Sequence, residues 1–202
     1  MTWNPELYHR FERERALPFE DLVQLVHVRS GLTVVDLGCG TGELTLRLAE
    51  TLPGSDALGV DSSPQMLAKA AALTRPGLRF ELGRIESVTG QWDLVFSHAA
   101  IQWVDDHPTL IPRLLGLVRP GGQLVVQMPS NHDGFAHRAI SETASESPFR
   151  EALGGWTRRS PVLPVDQYAE LLYAGGGREL TVFEKVYPHI LADAAAVREW
   201  TR

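Results

Sequence analysis

The stretch Val34-Val35-Asp36-Leu37-Gly38-Cys39-Gly40-Thr41-Gly42 constrains this chain more than any other. Residues 32–37 are apolar and β-branched, the pattern of a buried parallel strand, and the recurring Leu44, Leu46, Leu48, Ala49 and Leu52 mark a helix after it. Strand, alternate glycines and helix together describe a nucleotide-binding turn. Glycine suits the turn for two reasons: it takes positive φ cheaply, and it has no Cβ to hold a ligand away from backbone amides.

Spacing separates the cofactor classes. A dinucleotide fingerprint, G-x-G-x-x-G, places its third glycine where a pyrophosphate meets the helix N-terminus, and that place is Glu43 here. A carboxylate in the first helical turn repels a diphosphate but tolerates a cofactor with a positive charge and no phosphate. S-adenosyl-L-methionine is such a cofactor. The second strand, 57–60, ends in Asp61, about 20 residues past the turn, where an acid binds ribose hydroxyls. Asp61 equally fits as the N-cap of a helix starting at Pro64.

The chain has 202 residues, 44% hydrophobic and 22% charged, which suits one soluble α/β domain. Its net charge of −6 carries no basic block that would neutralise phosphates, so no nucleic-acid partner is expected. Arg10, Arg13 and Arg15 alternate with Glu12 and Glu14, as on a solvated helical face. The single Cys39 has no disulfide partner, and no leader or long apolar run is visible. A cytoplasmic protein with no membrane association is expected, monomeric or a weak homodimer.

Helical patterns cover 5–15 and 18–28, the second starting near Pro18. Strands at 32–37, 57–60 and 78–82 alternate with the glycine helix and a helix from 64 to 73, which gives βαβαβ. A fourth strand at 92–97, a helix around 110–117, a turn at Pro120-Gly121-Gly122 and a fifth strand at 124–128 follow. All five strands should be parallel, in a Rossmann-like, doubly wound α/β sheet. Residues 1–30 are expected to form a helical lid, 31–129 the cofactor-binding core and 130–165 a substrate cap. Residues 166–202 should contribute a helix at 166–174, a strand at 180–189 and a terminal helix near Asp193. Ligands in such sheets bind beyond the carboxyl ends of the strands. Residues 36–42, 61, 83–86, 97–103 and 128–131 should therefore line one crevice.

Further strings carry a resemblance: Trp3-Asn4-Pro5 with Tyr8, Phe11, Arg15 and Pro18; Asp61-Ser62-Ser63-Pro64 with Met66; Gln102-Trp103 with Asp106-His107; Gln127-Met128-Pro129 with Asn131; and Tyr187, His189 and Trp200. With the glycine turn, they make the chain resemble the class I S-adenosylmethionine-dependent methyltransferases, and within them the trans-aconitate 2-methyltransferase family. The resemblance spans nearly the whole chain. It implies that the glycine turn with Asp36, Gly38, Cys39, Gly40 and Gly42 holds the methionine moiety, Asp61 the ribose and Met66 the adenine, with Ser62, Ile85 and His98 also at the cofactor. His98 would lie near the methyl donor. Trp3, Tyr8 and Arg15 would belong to a lid over the substrate, although Trp3 also fits a hydrophobic staple.

Three departures stand out. The family usually offers an acid to the adenine amine after strand 3, where this chain has Gly83-Arg84-Ile85-Glu86; arginine cannot accept that hydrogen bond, so either Glu86 or the backbone takes over or cofactor binding is weaker. His98 replaces the usual asparagine after strand 4, and a histidine there fits ligand contact or packing. The family also ends in a strand inserted antiparallel between strands 5 and 6, for which this chain has no residues; a trimmed chain or another element in the gap is expected.

Methyl transfer from a sulfonium is an in-line displacement, and a carboxylate acceptor is already ionised at neutral pH, so positioning matters more than a general base. His98, Gln102 and Trp103 are the candidate catalytic residues. Trp3, Tyr8, Arg15, Asn131 and His137 are candidates for a small carboxylic acid substrate. His9, His132 and His189 lack metal-ligand spacing, and no metal is expected. The chemistry implied is methyl esterification of a small polycarboxylic acid such as trans-aconitate, with S-adenosyl-L-homocysteine as product. Another small-metabolite O, N or C acceptor, or S-adenosylmethionine binding without turnover, remain as alternatives.

Overall fold

The pairs Val34-Val35 and Leu94-Val95 send neighbouring side chains to opposite faces of one sheet, and both faces are covered. The computed structural model describes residues 12–156, 160–188, 190, 193 and 196. Its elements are α1 (Glu12–Gln24), β1 (Thr33–Leu37), α2 (Glu43–Thr51), β2 (Asp56–Asp61), α3 (Pro64–Ala70), β3 (Leu78–Leu82), β4 (Trp92–His98), α4 (His107–Leu115), β5 (Val118–Gln127), α5 (Phe135–Ser145), α6 (Phe149–Ala152) and α7 (Val165–Ala174). The five strands are all parallel, in the order β3-β2-β1-β4-β5. The order reverses between β1 and β4, which opens a crevice at their carboxyl ends.

One face of the sheet packs Val34, Leu94, Phe96 and Val125 against Phe19 and Leu22 of α1 and Leu48 of α2. The other packs Val35, Leu37, Val60 and Val95 against Ile101, Leu110 and Leu114 near or on α4, with Tyr168 of α7. At the amino ends, Thr33 donates its N–H and its hydroxyl to Asp93 Oδ2, at 2.8 and 2.7 Å, and Arg119 joins them at 3.1 Å. Three strands are pinned by one carboxylate. At the carboxyl end, Ser97 Oγ donates to the buried Leu37 carbonyl at 2.8 Å, where the β1–β4 ladder gives out.

Three expectations are corrected. The chain does not break at Pro18, which sits inside α1. Proline there forfeits its own N–H bond, but burial of Phe19 and Leu22 on the sheet holds the helix together. Pro120-Gly121-Gly122 lies within β5 as a bulge rather than ahead of it as a turn: strand partners jump from Trp92 with Val118 to Leu94 with Gln123. The segment 180–188 alternates like a strand but forms none, because among the described residues no strand lies beside it or along the outer edge of β5. It is held instead by side chains: Ser130 to Glu184, and Lys185 and Tyr187 to Asp21 of α1, with Val186 left 86% exposed. Among the described residues the sheet ends at β5, so no slot between a fifth and a sixth strand is formed. The sequence-predicted terminal helix lies outside the described residues apart from Asp193 and Ala196, and so does the helical pattern of residues 5–11.

Candidate active site

The glycine turn joins β1 to α2, and its three glycines serve different ends. All three have positive φ. A Cβ on Gly38 would meet the Ala100 Cβ at 2.2 Å, and one on Gly42 would meet the Phe80 ring at 2.7 Å. Those two let neighbouring elements close in. A Cβ on Gly40 would meet nothing within 4 Å. Gly40 thus borders open space, as a backbone that must receive a ligand does.

Asp61 ends β2 and ties the turn to the next loop. Its Oδ2 accepts the Gly40 N–H at 2.9 Å and its Oδ1 the Ser63 N–H at 2.8 Å. The helix N-cap is Ser63, whose hydroxyl accepts from Met66 N–H. Asp61 is therefore not the cap, and a carboxylate has lone pairs to spare for further donors. Asp36 is buried and accepts from Thr45 Oγ1 at 2.6 Å. Burial pushes its carboxyl up to about 7, the Thr45 bond opposes the rise and the charge of Asp61 adds to it. Cys39 is buried between these acids, and burial followed by their charges pushes its thiol up. It is no nucleophile.

Further along the crevice, Ile85 approaches the turn: its Cδ1 would lie 3.7 Å from a Cβ on Gly38. Met66 is buried on α3, and Ser62 is exposed beside it. Arg84 turns to solvent and pairs with Glu86 at 2.7 Å, while the Glu86 carbonyl accepts from Arg113 Nε. Arg84, through its hydrogen bond, holds the Glu86 carboxyl below the ordinary range. Glu86 thus stays ionised beside Ile85, although Arg84 competes for it.

The carboxyl ends of β4 and β5 gather polar atoms without partners. His98 pairs in register with Gln127, so both side chains share one face of the sheet. The buried His98 Nε2 and Gln127 Oε1 have no hydrogen-bond partner. The His98 ring packs edge-on against Phe19 of α1 at 5.6 Å, and burial lowers its pKa to about 4, so the imidazole is neutral. Gln102 is buried on the turn Ile101–Trp103; its Nε2 donates to the Ala99 carbonyl at 2.7 Å, which fixes the amide and leaves Oε1 buried and unpartnered. Buried polar atoms are rarely orphaned without cause.

The structure thus brings Asp36, Gly38, Cys39, Gly40, Gly42, Asp61 and Ile85 together, with His98 and Gln102 at the adjoining strand end. Trp103 follows Gln102 but is 67% exposed. Asn131 is exposed, and His137 on α5 faces the His132 ring at 5.8 Å; neither joins the buried cluster. Trp3, Tyr8 and His189 lie outside the described residues, and of Arg15 only the backbone, within α1, is described. Gln127 is the residue that sequence reasoning passed over as a candidate. The Gln127-Met128-Pro129 string marks the end of a strand, but the pairing of Gln127 with His98 is not visible in it.

A parallel sheet of this order, with a glycine turn bordered by open space and an acid ending the second strand, is the architecture of the class I S-adenosylmethionine-dependent methyltransferases. A family model described as a methyltransferase domain matches residues 28–176. Among relatives, a trans-aconitate 2-methyltransferase from Deinococcus radiodurans is 49% identical over 100% of this chain and 80% of its own length. One from Variovorax paradoxus is 42% identical over 100% and 79%. The chain belongs to the trans-aconitate 2-methyltransferase family. Among solved structures, phosphoethanolamine N-methyltransferase 2 of Haemonchus contortus, in complex with S-adenosyl-L-methionine, shares the fold at a TM-score of 0.59 and 20% identity, covering 80% of this chain and 36% of that one.

Proposed function

We propose that this protein transfers the methyl group of S-adenosyl-L-methionine to a carboxylate of trans-aconitate or a closely similar polycarboxylic acid, giving a methyl ester. The observation that carries the acceptor assignment is the pair of buried atoms His98 Nε2 and Gln127 Oε1, which have no hydrogen-bond partner and belong to residues in register on one face of the sheet. A tautomer change and an amide flip turn both into N–H donors, which a carboxylate needs. The names of the relatives point to the same acid class.

The residues of the crevice fit the cofactor. Gly40 offers backbone bordered by open space, and Asp61 has lone pairs left for ribose hydroxyls and supplies a negative charge that a sulfonium and an ammonium favour. Met66 and Ile85 would flank the adenine, with Ser62 near the ribose and Glu86 the available acceptor. When bound, the cofactor supplies an electrophilic methyl on a sulfonium.

The chain supplies position. His98 and Gln127 would hold an acceptor carboxylate, and Trp103 would close over it. Gln102 offers a carbonyl oxygen, because its NH2 is committed to Ala99. That oxygen repels a carboxylate and suits an ammonium, so Gln102 would serve the amino-acid end of the cofactor. Trp3, Tyr8, Arg15, Asn131 and His137 would complete the acceptor wall, with Arg15 as counter-charge. No group need remove a proton, since the acceptor is already ionised.

The test is an ester-formation assay over di- and tricarboxylic acids, with cofactor binding followed by calorimetry. Turnover should be greatest with trans-aconitate. Tight cofactor binding with no ester from any acid would refute the acceptor assignment.

A further inference from the structure

Strand β4 leaves the sheet through a turn whose two ends are both strained. Ala99 has φ 50 and Asp106 φ 56, a left-handed backbone that side chains with a Cβ rarely adopt. Such a conformation persists only where neighbours over-determine it. The Gln102 amide clamps one end through the Ala99 carbonyl. The rest is held from outside by His107, the first residue of α4, which is fully buried.

The His107 bonds have a direction. The Ile101 carbonyl can only accept, so Nε2–H donates to it, at 3.0 Å. In the tautomer that carries its proton on Nε2, Nδ1 accepts from the Tyr168 hydroxyl of α7. Burial raises the Tyr168 pKa, so that the hydroxyl keeps its proton. Its oxygen accepts the Leu163 N–H at 3.0 Å and lies 3.5 Å from Met128 Sδ, next to Gln127. One hydroxyl thus touches the border of the predicted cap, the end of β5 and, through one imidazole, the turn that carries Gln102.

We propose that His107 and Tyr168 are positioning residues of the methyl-transfer site, holding the Ile101–Trp103 turn so that the free Gln102 Oε1 meets the cofactor's ammonium group. The proposal rests on the role given to Gln102 above. Neither residue touches a ligand itself; both act through the Ile101 carbonyl.

The experiment is calorimetric titration of the whole protein with S-adenosylhomocysteine, which keeps the ammonium and does not turn over. Well below its unfolding temperature, Tyr168→Phe should raise Kd about five- to tenfold, and Gln102→Ala at least as much. In the double variant the effects should not multiply: Tyr168→Phe should add nothing once Gln102 Oε1 is gone. A purely structural bond would lower Tm and leave Kd unmoved. An unchanged Kd in Tyr168→Phe, or multiplied effects in the double variant, would overturn the proposal while leaving the role of Gln102 intact. An unchanged Kd in Gln102→Ala would overturn both. If Tyr168→Phe does not fold, His107→Gln, which keeps an N–H donor but displaces the Tyr168 bond, is measured by the same criteria.

Discussion

Single residues in the glycine turn separate folding from binding. Gly38→Ala places a Cβ 2.2 Å from that of Ala100 and should cost 3 kcal/mol or more, on the order of severe overpacking, read as loss of soluble protein or of the urea midpoint. Gly40→Ala meets no atom and should cost only about 1–2 kcal/mol for its positive φ, yet lose most cofactor affinity. Asp61→Ala should weaken cofactor binding by roughly 1.5–3 kcal/mol in calorimetry; unchanged affinity would place the ribose elsewhere. Asp36 predicts a pH dependence. Its folded pKa of about 7 lies above the ordinary 3.8, so between these values the folded chain holds a proton that the unfolded chain releases. Stability from this group therefore falls as pH rises from about 4 to 7, and levels off above. Urea midpoints against pH should show that slope, and Asp36→Asn should lack it. Much of this chemistry was legible in residue order, because glycines and acids at fixed spacing have few other uses. Gln127 was not, since its importance comes from standing beside His98, a register that no local pattern displays.

At the scale of elements, the carboxylate of Asp93 joins the amino ends of β1, β4 and β5. The two bonds from Thr33, backbone first, and then Arg119 hold its pKa below 3.8. Its stabilisation is thus complete above the unfolded pKa and is lost as pH falls through the folded one. Asp93→Ala should lower stability by about 1–3 kcal/mol at neutral pH, with the difference from the parent shrinking in acid; an equal difference at every pH would show that lost packing, not charge, dominates. Five strands and their flanking helices could be read from apolar runs and turn residues, since a strand covered on both faces is nearly all aliphatic. The failures share a cause. Pro18 is tolerated because Phe19 and Leu22 bury against the sheet, and 180–188 is no strand because pairing needs a neighbour. Both outcomes are decided by distant contacts rather than by the segments themselves.

Across the whole molecule, the cofactor crevice is the place where two halves of the sheet diverge, so ligand occupancy and global stability should be linked. At a cofactor concentration of 100 times Kd, unfolding should be harder by about 2.7 kcal/mol, visible as a raised Tm. No Tm change in the presence of S-adenosylhomocysteine would mean that folded and unfolded chains bind it alike. The molecule also carries its own gauge of these motions. Cys39 is the single cysteine of the chain, and it is only 8% exposed inside the turn that would grip the cofactor. A thiol-reactive dye can reach it only in molecules whose turn has momentarily come apart, so the labelling rate counts openings rather than reactivity. Saturating product should slow the dye in proportion to occupancy. One native sulfur thereby becomes a clock for how often the binding site breathes, readable without altering a residue.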